Sequence, residues 1–285
     1  MIDWLQRWLP RSLRRPPSIP DALWLDTLAN HPFLRALDAP ALQRLRALCT
    51  HFLMEKEFHG ANGLVVTDRM ALAIAAQACR PLLFMRGVWG GPTKDPLKLL
   101  DWYGDFVGIV VQPGAVVARR KTMDRAGVVH HYDEVLAGEA MDGGPLMLSW
   151  EDVEHAADRA PQGHNVVIHE FVHKLDMHDM QVGDAPDGAP PLPSGFMGTR
   201  SAVAARDLWQ RTMQANYDRF CEAVAMAERF GGEAPWLDDY AAKDAAEFFA
   251  VTCEAYFVNR PRFEAEFPEL VPLYDGFFDP DRARP

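Results

Sequence analysis

Residues 164–178 read HNVVIHEFVHKLDMH, with His169 and His173 four apart and Glu170 directly after the first. On a helix, positions i and i+4 share a face, so two imidazoles can converge on one point. Glu170, one residue on, flanks that point without binding it. Two neutral nitrogen ligands beside a carboxylate are what a zinc hydrolase requires. The metal lowers the pKa of a water toward about 7, and Glu170, as general base, takes its proton and later passes it to the leaving amine. The competing reading is a surface helix whose polar face happens to spell this pentapeptide. The neighbours Val166, Val167, Ile168, Phe171, Val172 and Leu175 argue against it, because they predict a largely buried helix. Burying two histidines and a glutamate is costly unless they are paired or ligate a metal.

Zinc needs a third protein ligand. The stretch DYAAKDAAEFFAVTCEAYFVNR predicts a second buried helix from about Asp239 to Asn259, bounded by Pro261. It offers Glu247, flanked by Phe248 and Phe249, and Glu254 seven residues later on the same face. Metal ligation accounts for a carboxylate in such company, and so does an ion pair or a cap within the fold. Glu254 is expected to support a ligand or to join an ion pair. Asp176 either orients a ligand histidine through its second nitrogen or sits at the surface where the helix ends. His178 and Asp179 lie beyond the histidine face, as loop residues. His130 and His131 are adjacent on a strand, point to opposite faces and cannot chelate together.

These residues need elements to hold them. From Asp21 to about Met85 the apolar spacing is helical, with Thr67 starting one helix and Asp38 and Pro40 another. From about Trp102, short β-branched runs separated by glycine-containing turns (FVGIVVQP, GAVVARR, GVVHHYDEV, GPLMLSW) predict a mostly antiparallel sheet. MDGG, 141–144, reads as a hairpin turn between the last two strands. The strand from Val135 to Ala140 is either an edge that pairs with a peptide backbone or an internal strand. Ser149 is an N-cap candidate. Residues 181–198, rich in proline and glycine, form no regular element and are functional or mobile. Helix resumes from Val203 to Phe230. The order implies an α+β fold: an arm over 1–20, then one domain over 21–285. Within it lie a helical part at 21–90, the sheet and histidine helix at 100–180, and a helical part with the third ligand at 200–285.

Composition narrows the function. The formal net charge of −11 argues against direct nucleic-acid binding. The aromatic and arginine-rich opening stretch is interrupted by Arg7, Pro10 and Arg11, too broken for a secretory signal. It forms either a membrane-surface or partner-docking helix or an arm packed on its own body. No apolar run reaches the length of a membrane helix. Cys49, Cys79, Cys221 and Cys253 form no CxxC pair and read as buried free thiols. A cytoplasmic chain is expected.

The segments HEFVHKLDM, GEAMDGGPLMLSWEDV, EFFAVTCEAYF and FHGANGLVVTDRMALAIAAQAC resemble the zinc peptidase family of the glucose-repressor (Mlc) titration factor A over roughly residues 20–275. The EFFA helix and the tyrosine before it are also similar to the catalytic domain of anthrax lethal factor. The resemblance implies a zincin-like fold of the gluzincin class and one Zn²⁺ per chain. It implies His169, His173 and Glu247 as ligands and Glu170 as base. It also implies Tyr240, seven residues before Glu247, as donor to the developing oxyanion, a role that stabilises charge only as it appears. Similar proteins are cytoplasmic bacterial peptidases with aminopeptidase-like activity on small substrates, which also bind the transcriptional repressor Mlc. Two functions follow as expectations. One is a zinc peptidase acting on peptide or aminoacyl-amide bonds and also binding such a repressor; the other is a non-catalytic regulator that sequesters the repressor around a structural zinc.

Overall fold

In a computed structural model the chain is described at residues 18–88, 95–123, 129–136, 138–140, 144–179 and 186–282. The opening arm to residue 17, residues 141–143 of the MDGG turn and residues 181–185 lie outside these. Helices α1 (Asp21–Asn30), α2 (Pro32–Arg35) and α3 (Ala39–Glu55) come first, followed by β1 (Glu57–Gly60) and α4 (Asp68–Cys79). The middle third holds α5 (Pro96–Leu100), β2 (Gly108–Gln112), β3 (Val116–Met123), β4 (Val129–Leu136), β5 (Gly138–Ala140) and β6 (Leu146–Ser149). Short helices α6 (Trp150–Glu154) and α7 (Ala156–Arg159) lead into α8 (Val166–Asp176). The last third is α9 (Ala202–Phe230), α10 (Ala245–Val258), α11 (Arg260–Glu266) and α12 (Val271–Phe278).

Helix starts follow their caps. Asp38 accepts from the Ala41 amide, Thr67 from Met70 and Ser149 from Asp152, each satisfying a donor the helix itself cannot. The expected helix from Asp239 is in fact two pieces. A 3₁₀ turn covers Asp239–Ala242, and Asp244 then caps a new helix by accepting from the Glu247 amide at 2.9 Å.

The sheet corrects the expectation. Its order is β1-β2-β6-β5, with β1 parallel to β2 and β2 parallel to β6; only β5, at one edge, runs antiparallel. β3 and β4 form a separate antiparallel ribbon, with His130 opposite Thr122 and His131 opposite Lys121. β1 was hidden in the stretch read as helical, because four mostly exposed residues carry no apolar alternation. Strand direction was missed for a related reason. Apolar runs mark strands, but direction is decided by the connection, and α4 supplies the crossover that makes β1 and β2 parallel.

One contiguous apolar cluster runs from Ile19 to Phe278. Within it α8 packs on α4, α10 and β5. Beyond α10 the core is largely aromatic: Trp209 stacks on Tyr274 with centroids 5.8 Å apart and meets Phe249 edge-on at 5.5 Å. All four cysteines are free, and Cys49, Cys79 and Cys253 are buried. Among the described residues no helix is long and apolar enough to cross a membrane.

Candidate metal centre

α8 begins at Asn165, whose side chain accepts from the Ile168 amide at 2.9 Å and donates to Gln77 of α4 at 2.7 Å. This start sets the helical phase. His169 and His173 turn toward α10 and Glu170 toward β5, while Val167, Ile168, Phe171, Val172 and Leu175 are fully buried. α10 crosses that face and brings in both of its acidic residues.

His169 Nε2 lies 3.1 Å from His173 Nε2 and 3.1 Å from Glu247 Oε2, and His173 Nε2 lies 3.3 Å from the same oxygen. The three side chains are only 12%, 10% and 13% exposed. Four ligands arranged tetrahedrally at zinc's usual bond lengths stand about 3.3 Å apart. The triangle therefore has the spacing of a possible metal site, and two imidazole nitrogens with a carboxylate oxygen are donors that suit zinc. It is also the one His, Cys, Asp and Glu group among the described residues close enough to hold a metal. Burial opposes charge on His169 and Glu247 alike, and the hydrogen bonds between them outweigh it. Without metal, Glu247 and Glu254 hold His169 protonated well above the ordinary histidine range, and the two histidines hold Glu247 ionised far below the carboxylate range.

Two of the three side chains, His169 and Glu247, have a further partner behind them. His169 Nδ1 meets Glu254 Oε1 at 2.8 Å, and Glu254 Oε2 accepts from the Asn165 amide. Glu247 Oε1, turned away from the histidines, accepts from the Tyr240 hydroxyl at 2.9 Å and from Lys243 Nζ at 3.3 Å. Lys243 also donates to the Tyr240 oxygen at 2.7 Å. Tyr240 thus stands beside the triangle, held against the Glu247 carboxylate, and burial pushes its phenol well above the usual range. Asp176 is not at the surface: it is 2% exposed, and its Oδ2 accepts from the Gly188 amide at 2.9 Å. His178 sits in a 3₁₀ turn with its ring 5.1 Å from that of Trp102, away from the cluster.

A cleft of about 510 Å³ opens over the N-terminal half of α8, walled by Gly138, His169, Glu170, Arg159, Asp238 and Tyr240 among others. Glu170 is 4% exposed and faces β5. A Cβ on Gly138 would fall 2.4 Å from Glu170 Oε1, so only glycine lets this edge strand pass so close to the carboxylate. The strand weighed as edge or internal is thus, at 138–140, an edge. Gly138, Asn165, Lys243 and Gly188 were not singled out from sequence. Two left a signal: a glycine inside a strand pattern, and an asparagine just before an apolar helix.

The profile of the family described as Glucose-regulated metallo-peptidase M90 matches residues 4–279. The chain is similar to the Mlc titration factor A of Serratia proteamaculans, 32% identical over 99% of this chain and 94% of that one. It is also similar to the Mlc titration factor A of Yersinia pestis, 28% identical over 99% of this chain and 91% of that one.

Proposed function

The chain belongs to the glucose-regulated metallo-peptidase M90 family, and from that premise we propose that it is a zinc-dependent, aminopeptidase-like enzyme cleaving peptide or aminoacyl-amide bonds. The observation that carries this reading is the triangle of His169, His173 and Glu247, one corner of which, His169, lines a cleft together with Glu170. Residues 21–285 act as one peptidase domain, which the contiguous core supports.

His169, His173 and Glu247 would hold a zinc ion, which when bound would supply Lewis acidity toward a peptide carbonyl and water. Glu170 takes the proton of the attacking water and delivers it to the leaving amine. Its burial against β5 excludes bulk water and keeps it in one orientation. Tyr240 donates to the carbonyl oxygen as charge grows there, which requires its hydroxyl to leave Glu247 Oε1. An extended substrate adds a strand beside β5, lying across the cleft above α8.

The relatives' name, Mlc titration factor A, supports a second activity: binding an Mlc-like transcriptional repressor in the cytoplasm. In the alternative, that binding is the whole function and the zinc is structural. The net charge of −11 argues for contact with a protein and not with DNA.

The experiment is elemental analysis of the purified chain together with peptide hydrolysis by the parent and Glu170→Gln. Near one zinc per chain is expected in both. Turnover should fall roughly 10²–10⁴-fold in the variant. Hydrolysis surviving in Glu170→Gln would remove the base assignment, and a chain that takes up no zinc would leave the repressor-binding reading alone.

A further inference from the structure

The two histidines of the proposed centre are supported unequally. His169 Nδ1 is held by Glu254 at 2.8 Å. His173 Nδ1 is buried and has no hydrogen-bond partner among the described residues, and the same is true of Asp176 Oδ1. The two residues lie three apart on α8, where side chains meet, and are 8% and 2% exposed. An imidazole that gives Nε2 to a metal carries its proton on Nδ1, and a buried N–H without an acceptor costs as much as a lost hydrogen bond. Of the two buried carboxylates three residues from His173, Glu170 lies against Gly138 of β5, which leaves Asp176.

Its other oxygen is already fixed. Asp176 Oδ2 accepts from the Gly188 amide at 2.9 Å, and the Gly188 carbonyl accepts from Trp209 Nε1 at 2.7 Å. Gly188 has φ +73°, and a Cβ there would stand 2.5 Å from the Ala245 carbonyl oxygen. The bend is therefore pressed against the first turn of α10, the helix that carries Glu247. Next to it, Asp187 pairs with Arg206 of α9 at 2.6 Å.

We propose that Asp176 is a positioning residue for His173, accepting its Nδ1–H through Oδ1 while the Gly188 amide fixes Oδ2. The bend at 187–189 is then a brace behind the metal centre and not a cover over it. This inference rests on the metal-centre reading above. It differs from a purely structural role, in which Asp176 only anchors the bend.

The test compares the full-length parent with Asp176→Ala and Asp176→Asn. Zinc affinity is measured by chelator competition, melting temperature without metal, and the histidine N–H resonances of the zinc-loaded protein by NMR. Alanine loses both bonds; asparagine has one oxygen for two donors and keeps the shape. Zinc binding is expected to weaken roughly 10–100-fold in both. The His173 Nδ1–H resonance should vanish or shift in Asp176→Ala while that of His169 stays. Metal-free Asp176→Asn should melt no lower than the parent, because it no longer buries a half-satisfied carboxylate. Should Asp176→Ala fail to fold, Asp176→Asn carries the same comparison. Zinc affinity within about threefold of the parent, with the His173 resonance unmoved, overturns the inference and leaves Asp176 as an anchor. A parent that binds no zinc overturns the metal-centre reading, and this inference with it.

Discussion

α8 buries charge on two sides, and the two sides are finished differently. On one, Lys174 is fully enclosed, its ammonium 2.9 Å from Asp105 Oδ2 and 4.8 Å from the centre of the Phe106 ring. Lys56 approaches the same ring at 4.0 Å and donates to the Phe106 carbonyl at 2.6 Å. These two cations have carboxylate, carbonyl and aromatic partners, so their burial stabilises one arrangement of α8 against the corner at 103–106. On the other side, two histidines and a glutamate present three ligand atoms toward one point, and the carboxylate next to them lines an open cleft. A buried charge whose partners are all supplied by the fold is structure. A buried charge set facing a cavity is available for chemistry.

That contrast breaks if changes on one side behave like changes on the other. The largest expected effect is on metal. Glu247→Ala should weaken zinc binding at least about 100-fold, whereas Lys174→Met should leave it unchanged, both read by chelator competition. Equal losses in the two variants would make the lysine side part of the centre. Next comes Gly138→Ala, whose methyl must displace the Glu170 carboxylate. A displacement near 1 Å should cost about 100-fold in kcat/KM with zinc content unchanged, and undiminished hydrolysis would show that Glu170 is free to move aside.

Stability effects are smaller. Lys174→Met should lower unfolding free energy by about 2 kcal/mol in denaturant melts, because it leaves Asp105 and the Gly144 carbonyl short of a donor. The weakest effect is the pH dependence of the metal-free protein. His169 is held protonated above its ordinary range. A raised histidine contributes stability that is complete below the unfolded value near 6.5 and is lost as pH rises through the folded one. Metal-free protein should therefore melt lower at alkaline pH than at pH 6, and zinc affinity should climb over the same interval as the proton is released. A melting temperature flat across that range would detach His169 from Glu247 and Glu254.

Legibility followed the range of the interaction. His169, Glu170 and His173 could be read because their relation is one helical turn, and the apolar residues between them announced burial. Asp38, Thr67 and Ser149 could be read as caps for the same local reason. Glu247 and Glu254 were visible as anomalies, carboxylates inside a phenylalanine-rich helix, but their different duties were not. Glu254 meets His169 at Nδ1 and Glu247 meets it at Nε2, a distinction made only by how α10 crosses α8. The sheet was misread because direction belongs to crossovers, and β1 was missed because a strand of four residues, all but Phe58 exposed, has no periodicity to find.

By itself the sequence determined the chemical vocabulary: which side chains could ligate, which carboxylate could act as base, and which helix had to be buried. Spacing along one helix decides these matters, and helical geometry is the same wherever it occurs. Tertiary structure alone decided the grammar. It brought Glu247 to His169 across 78 residues of chain, ran a glycine of the edge strand against Glu170, and turned Asp176 inward onto the Gly188 amide. Such pairings depend on how packed elements cross, and crossing angles come from the summed fit of many side chains and not from any motif.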